Sequence, residues 1–293
     1  MLRLIVHAPA TTSNLGSGFD TLGMALDMWN IYEVEESERN EFIVDGRYKE
    51  ELESEEPDLF FFKRVENLSE SFGITLPKIK VFVRVEIPPK RGLGSSATVA
   101  LAVMEILEKF GGLNLREDEK IRFLVDLEGH PDNVVPAFLG GLMIVSCEND
   151  KIMYHRIPFP KKWKMVFFIP NFKISTEMAR KILPNSYRRE AVVSQMRRLG
   201  FLISGFYEEN EELVRFGMED FIHQKYRLKL EKRMLDLFNH VRKFNPISSF
   251  VSGSGSTIAT IFPKNVTVPK IPGVEKVETG ISDGVKVEVK QRQ

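Results

Sequence analysis

The sequence predicts an α+β fold, and three observations carry that prediction. Some runs show the two-residue apolar alternation of strands, most clearly VFVRVEI at 81–87, and others the 3.6-residue spacing of helices, most clearly ATVALAVMEILEKF at 97–110. The two kinds follow one another without the regular strand–helix–strand alternation of a doubly wound sheet. With 293 residues, 43% of them hydrophobic, the chain is long and apolar enough for one large core or two ordinary ones.

Taken in order, LRLIVHA at 2–8 reads as a buried strand, and WNIYEVEE and EFIVDG as half-exposed ones. In VFVRVEI, Val81, Val83, Val85 and Ile87 share one face, and Phe82, Arg84 and Glu86 the other. Over 97–110, Val99, Val103, Ile106 and Phe110 recur at helical spacing with further apolar residues beside them. So broad an apolar surface predicts a buried helix, which Gly111 and Gly112 stop. REDEKIRFLVDLE opens another helix near Glu117. GGLMIVSCE and KMVFFIPN read as strands, STEMARKIL and 187–208 as helices, and 211–243 as a third helical block. The strands ISSFVSGSG, TIATIF, VEKVET and VKVEV close the chain. A boundary near residue 155 divides it into units 1–155 and 156–293; no Pro/Gly/Ser-rich linker marks the join, so two halves sharing a cleft are expected.

Composition removes several classes of function. Lys+Arg and Asp+Glu both total 41, so no net field seeks nucleic acid, and basic runs such as KYRLKLEKR at 225–233 read as solvated helix faces. Cys147 is the one cysteine, which excludes an intramolecular disulfide, and the five histidines are too scattered for a zinc site. No apolar run reaches the ~18 residues of a membrane span. The expectation is a cytoplasmic protein with neither membrane nor nucleic-acid partners.

PPKRGLGSSAT at 88–98 stands between the strand 81–87 and the buried helix. Glycines there free backbone N–H groups to face an anion, the helix N-terminus adds partial positive charge, and Ser95 and Ser96 add hydroxyls for a phosphate or a magnesium ion. Lys90 and Arg91 offer further charge. The patterns G-x-x-x-x-G-K-[ST] and G-x-G-x-x-G are both absent, and a serine-capped turn explains the loop as well as a phosphate site does. Three other small-residue stretches tip the balance: PATTSNLGSGFDTLG at 9–23, EGHPDN at 128–133 and SGSGST at 252–257. Each but the last sets Asn, Asp, His or Glu beside its glycines.

Together these stretches resemble the GHMP kinase superfamily. PPKRGLGSSATVA looks like its ATP-binding motif, P-x-x-x-G-L-G-S-S-A, while APATTSNLGSGFDTLG and GHPDNVVPAFLGG are similar to the homoserine kinase branch; the likeness runs from residue 3 to about 262. The resemblance implies a two-lobed fold, with a ribosomal protein S5 domain 2-like N-terminal lobe and a ferredoxin-like α/β sandwich as C-terminal lobe. It implies transfer of the ATP γ-phosphoryl group to the side-chain hydroxyl of L-homoserine, with Mg2+. It assigns ATP to Pro88, Pro89, Lys90, Arg91, Gly92, Leu93, Gly94, Ser95, Ser96, Ala97 and Thr98, and the metal to Ser96 and Glu128. The acceptor falls to Asn14, Asp20, His130, Asp132, Asn133, Thr176, Arg180 and Arg227, and the catalytic group to Asn133, Ser96 and Glu128.

Within that set, Asp20 suits the ammonium of a zwitterionic amino acid, and the planar forks of Arg180 and Arg227 suit its carboxylate. Asn133 can orient hydroxyl and phosphate, since an amide both donates and accepts. Without the motifs either arginine would read as a surface residue, and His130 as a structural histidine. No general base is assigned, and the adenine contacts stay open between Asn67 and the apolar segment Phe60 to Val65. Ser256 stands where the family's third motif commonly has proline, which leaves the rigidity of that loop open. The readings left beside this one are a GHMP kinase for another small hydroxylated acceptor and a non-catalytic nucleotide or amino-acid binding module. A homodimer is also left open.

Overall fold

The computed structural model describes residues 2–149 and 151–291. The chain opens with two long antiparallel strands, β1 (Leu2–Ser13) and β2 (Leu22–Glu36), paired from Arg3–Glu35 to Ser13–Gly23. After β3 (Glu41–Asp45) come the short helix α1 (Lys49–Glu53) and α2 (Pro57–Ser71). Next is β4 (Ile79–Arg84), antiparallel to β2 and parallel to β3. Three helices follow, α3 (Ser95–Gly111), α4 (Glu117–Glu128) and α5 (Pro131–Leu139), then the hairpin of β5 (Leu142–Glu148) and β6 (Lys151–Ile157). The second lobe holds β7 (Trp163–Pro170), α6 (Thr176–Lys181), α7 (Arg189–Tyr207), α8 (Glu211–Gly217), α9 (Gln224–Arg227) and α10 (Lys232–Arg242). It ends with β8 (Ser248–Val251), β9 (Ile258–Pro263) and β10 (Val274–Thr279), before a last strand, β11 (Lys286–Gln291).

The α+β expectation holds, with two sheets. A seven-stranded sheet runs β11-β1-β2-β4-β3, with β5 on the start of β2 and β6 beyond it; a four-stranded antiparallel sheet runs β10-β7-β9-β8. In chain order the second sheet reads fourth, first, third, second, the ferredoxin-like arrangement. β11 corrects the expected division into 1–155 and 156–293. Residue 155 lies inside β6, and the last strand returns to pair with β1, from His7–Lys286 to Leu2–Gln291. The return satisfies backbone groups of β1 that would otherwise form an open sheet edge.

Three apolar clusters hold these layers together. In the first, α3 lies against Val6, Val34, Val81 and Val83 of the sheet, buried from Ala97 to Glu108 apart from the half-exposed Val99. The second joins the lobes: Leu15, Leu22 and Met24 of the first pack with Phe167, Phe206 and Phe250 of the second. Each such fully buried side chain contributes about 1.5–3 kcal/mol, so the cleft has a stiff floor. The third packs Met234 and Val241 of α10 on the far face of the second sheet.

The block expected at 211–243 is three helices because polar side chains interrupt it. Asn210 caps α8, the Asp220 carboxylate accepts from the N–H groups of Ile222, His223 and Gln224 ahead of α9, and Glu231 caps α10. α5, which was not foreseen, begins with Pro131 at a first-turn position where its missing N–H costs nothing. Among the described residues no helix is long and apolar enough to cross a membrane.

Candidate active site

The loop between β4 and α3 is wedged between the lobes. Gly92 and Gly94 have φ of 73° and 69°, a region that favours glycine. A Cβ at Gly92 would overlap the Ser252 carbonyl oxygen, and one at Gly94 the Thr11 hydroxyl. Hydrogen bonds fix the same contacts: Thr11 N–H to Leu93 O at 3.1 Å, Ser252 Oγ to Gly92 O at 2.6 Å, and Thr257 N–H to Arg91 O at 3.2 Å. No side chain among the described residues caps α3, so the N–H groups of its first turn are left without a capping partner beside the cleft that Ser95 and Ser96 line, as a helix N-terminus that holds an anion requires.

That cleft is a cavity of about 380 Å³. Gly92, Gly94, Ser95 and Ser96 form one wall, and Tyr32, Phe42, Phe60, Phe61, Val83 and Val99 an apolar recess beside it. The polar end holds Asn14, Asp20, Asp132, Asn133, Arg180 and Arg227. There Arg180 forks onto Asp20, Nη1 to Oδ2 at 3.0 Å and Nη2 to Oδ1 at 2.9 Å, with both side chains about a third exposed. Asn14 Oδ1 accepts from the Asp20 N–H at 3.1 Å, and Asn14 Nδ2 donates to Gly253 O at 2.9 Å. Arg227 is 2% exposed, and its Nη1 donates to the same Gly253 carbonyl at 2.8 Å. Burial draws its guanidinium down to about 10, with Asp20 opposing, so it stays charged at neutral pH.

Asn133 stands between loop and charged cluster. Its Oδ1 accepts from Thr11 Oγ1 at 2.8 Å, and its Nδ2 donates to Ser13 Oγ at 3.1 Å and Asp132 Oδ1 at 3.2 Å. Burial pushes the Asp132 carboxyl up, His130 opposing and Asp20 adding to it. His130 Nδ1 lies 3.5 Å from Asp132 Oδ1, buried and without a hydrogen bond. At the mouth of α3, Glu128 Oε1 accepts from Ser96 Oγ and from Arg64 Nη2, both at 2.9 Å. A hydroxyl beside a carboxylate is a hard-oxygen pair of the kind magnesium takes when phosphates and water complete its shell. Among the described residues no group of three or more His, Cys, Asp or Glu is placed to hold a metal. An ion here would therefore share Glu128 with Arg64.

Comparison with known proteins identifies the family. Residues 60–141 match the family model described as "GHMP kinases N terminal domain". Over 272 residues the chain is 37% identical to the homoserine kinase of Clostridium kluyveri, covering 90% of this chain and 88% of that one. The chain belongs to the homoserine kinase family. It is also 33% identical to the homoserine kinase of Aquifex aeolicus, over 89% of this chain and 87% of that one. The crystal structure of homoserine kinase from Cytophaga hutchinsonii shares the fold, with a TM-score of 0.78 at 22% identity over 98% of this chain and 97% of that one.

For a homoserine kinase family member, the expected residues divide clearly. Asn14, Asp20, His130, Asp132, Asn133, Thr176, Arg180 and Arg227 all line the cavity, as do Glu128 and, from the loop, Pro89, Lys90 and Gly92 to Ala97. Pro88, Arg91 and Thr98 do not. Arg91 turns away because its guanidinium is taken by Pro170 O at 2.9 Å, Pro89 O at 3.0 Å and Glu51 at 3.0 Å. Thr98 faces the core, accepting from Asn30 Nδ2 at 3.1 Å and donating to Ser95 O at 2.7 Å. Lys90 is at the mouth but paired with Glu55 at 3.0 Å. Of the adenine candidates Phe60 and Phe61 reach the recess, while Asn67 is exposed outside it. Ser256 is fully buried, and its Oγ donates to Phe172 O at 2.5 Å, so hydrogen bonds hold the third motif without proline.

Sequence reasoning missed the residues that act through others. Thr11 and Ser13 clamp Asn133, and their place in the first motif was the available signal. Arg64, on an amphipathic helix, carried no signal at all.

Proposed function

We propose that the protein transfers the γ-phosphoryl group of ATP to the side-chain hydroxyl of L-homoserine, giving O-phospho-L-homoserine and ADP, a step of threonine biosynthesis. The observation that carries this reading is one cavity joining an uncapped helix N-terminus to a carboxylate–guanidinium cluster, with Asn133 between them. The first-turn N–H groups of α3, Ser95 and Lys90 hold the triphosphate, and the aromatic recess packs the adenine. Ser96 and Glu128 would hold a magnesium ion, which supplies charge neutralisation at phosphate oxygens. Asp20 takes the acceptor's ammonium, and Arg180 and Arg227 its carboxylate, which leaves the hydroxyl facing Asn133.

In the reaction the hydroxyl oxygen bonds to the γ-phosphorus as the bond from phosphorus to the ADP oxygen breaks, and the hydroxyl proton passes to an oxygen of the transferred phosphoryl group and from there to solvent. Phosphoryl transfer passes through a loose transition state in which the nucleophile needs little activation. Alignment is worth up to about 7–11 kcal/mol, so a site that clamps both partners needs no strong base.

The test is ADP release by purified protein with ATP and Mg2+ against homoserine, mevalonate, galactose and shikimate. Homoserine should exceed the others in kcat/KM by about 100-fold or more. Equal or absent turnover of homoserine overturns the proposal, and ATP binding without transfer to any acceptor points to the non-catalytic reading.

A further inference from the structure

His223, immediately before α9, is fully buried and has no part in the roles above. Its Nδ1 lies 3.2 Å from Arg227 Nη1, and its Nε2 lies 2.9 Å from Gly16 O. A guanidinium only donates and a carbonyl only accepts. The ring must accept at Nδ1 and donate at Nε2, which is one neutral tautomer fixed by its two partners. Burial pulls the imidazole down to about 4, against Asp220 and with Arg227, so the neutral form persists at ordinary pH. Phe19 stacks on the ring at 5.1 Å, and the Arg227 guanidinium carbon sits 5.2 Å from the centre of the same Phe19 ring. Gly16 and Phe19 come from the loop that carries Asp20.

Among the described residues Arg227 has three acceptors: Gly253 O at 2.8 Å, Ala179 O at 3.3 Å and His223. All are neutral. Its Nη2 makes no hydrogen bond among the described residues, and the nearby Asp20 carboxylate is already forked by Arg180. A buried guanidinium held only by neutral acceptors keeps its charge for a ligand, whereas a carboxylate at position 223 would cancel it.

We propose that His223 is a positioning residue, a neutral strut between the Gly16 carbonyl and Arg227 that aims the guanidinium at the acceptor's carboxylate without neutralising it. The proposal rests on the reading of Arg227 given above. Glutamine can reproduce both bonds, accepting from Arg227 and donating to Gly16; leucine can make neither.

His223→Leu should therefore raise the homoserine KM about tenfold or more while leaving that of ATP within about twofold, and His223→Gln should recover most of the loss. An unchanged homoserine KM in His223→Leu, an equal rise for both substrates, or a glutamine variant no better than leucine overturns the strut. In protein labelled with 15N-histidine, His223 is expected as the Nε2–H tautomer at pH 7, and an Nδ1–H tautomer overturns the proposal even if His223→Leu fails to fold. The tautomer is read without any acceptor. Failure of wild-type protein to phosphorylate homoserine thus falls on the proposed function, and failure of the tautomer on the strut.

Discussion

In the proposed reading one short segment, Pro89 to Ala97 with Arg91 turned away, supplies the phosphate end of the cavity, and the donors it offers are mainly backbone N–H groups at one helix N-terminus. The acceptor end is assembled from the loop after β1, the start of α5, helix α6, helix α9 and the third glycine motif, and its donors are side chains. Asp20 and Arg180, which touch, are 160 residues apart in the chain. The difference teaches how one enzyme can hold a fixed donor and a selective acceptor. Backbone groups recognise any phosphate, whereas a spaced set of charged forks recognises one arrangement of ammonium, carboxylate and hydroxyl.

The comparison can be broken from either end. Arg227→Ala removes a buried charged donor from the acceptor end alone, and should lower kcat/KM for homoserine about 10²–10³-fold while ATP affinity, measured by calorimetry, holds within about twofold. Gly92→Ala strikes the phosphate end and the seam between lobes together, since its Cβ would overlap the Ser252 carbonyl. Denaturant unfolding should show a loss of about 2–4 kcal/mol, with a raised ATP KM. Ser96→Ala touches only the phosphate end at an exposed position, and should raise the ATP KM about tenfold without a change in stability or in the homoserine KM. The smallest effect concerns pH. His223 is held down to about 4 against an ordinary value near 6.5, chiefly by burial, with Asp220 and Asp20 opposing and Arg227 assisting. The unfolded chain then binds the proton more tightly, so stability is full above pH 6.5 and falls with acidification toward pH 4. Between pH 6.5 and 5.5 the loss from this group is about 1 kcal/mol, and in His223→Gln that component should be missing from the pH dependence of unfolding.

The same contrast governs what could be read from the sequence. The strand, loop and helix around Gly92 are contiguous, so periodicity and turn chemistry marked a candidate anion site there, and only the motif resemblance made it an ATP loop and joined Asp20, Asn133, Arg180 and Arg227 to it. Arg91 misled because its direction depends on the Pro170 carbonyl and Glu51, which are remote in sequence. Apolar spacing over 211–243 looks continuous, yet Asp220 captures three backbone N–H groups and ends the run. VKVEV read correctly as a strand, but nothing local to it names β1 as its partner. His223 was only one of five scattered histidines until both its neighbours were known.

The central claim, that the acceptor is chosen through its carboxylate, is tested most directly with 3-aminopropan-1-ol, which is homoserine without that group. The ratio of kcat/KM for homoserine to that for the amino alcohol should be about 10³ in the wild-type protein and should collapse to about tenfold in Arg180→Ala, because one of the two forks that read the carboxylate is gone and only Arg227 remains. A ratio left unchanged by Arg180→Ala, or near unity in the wild-type protein, would contradict the account.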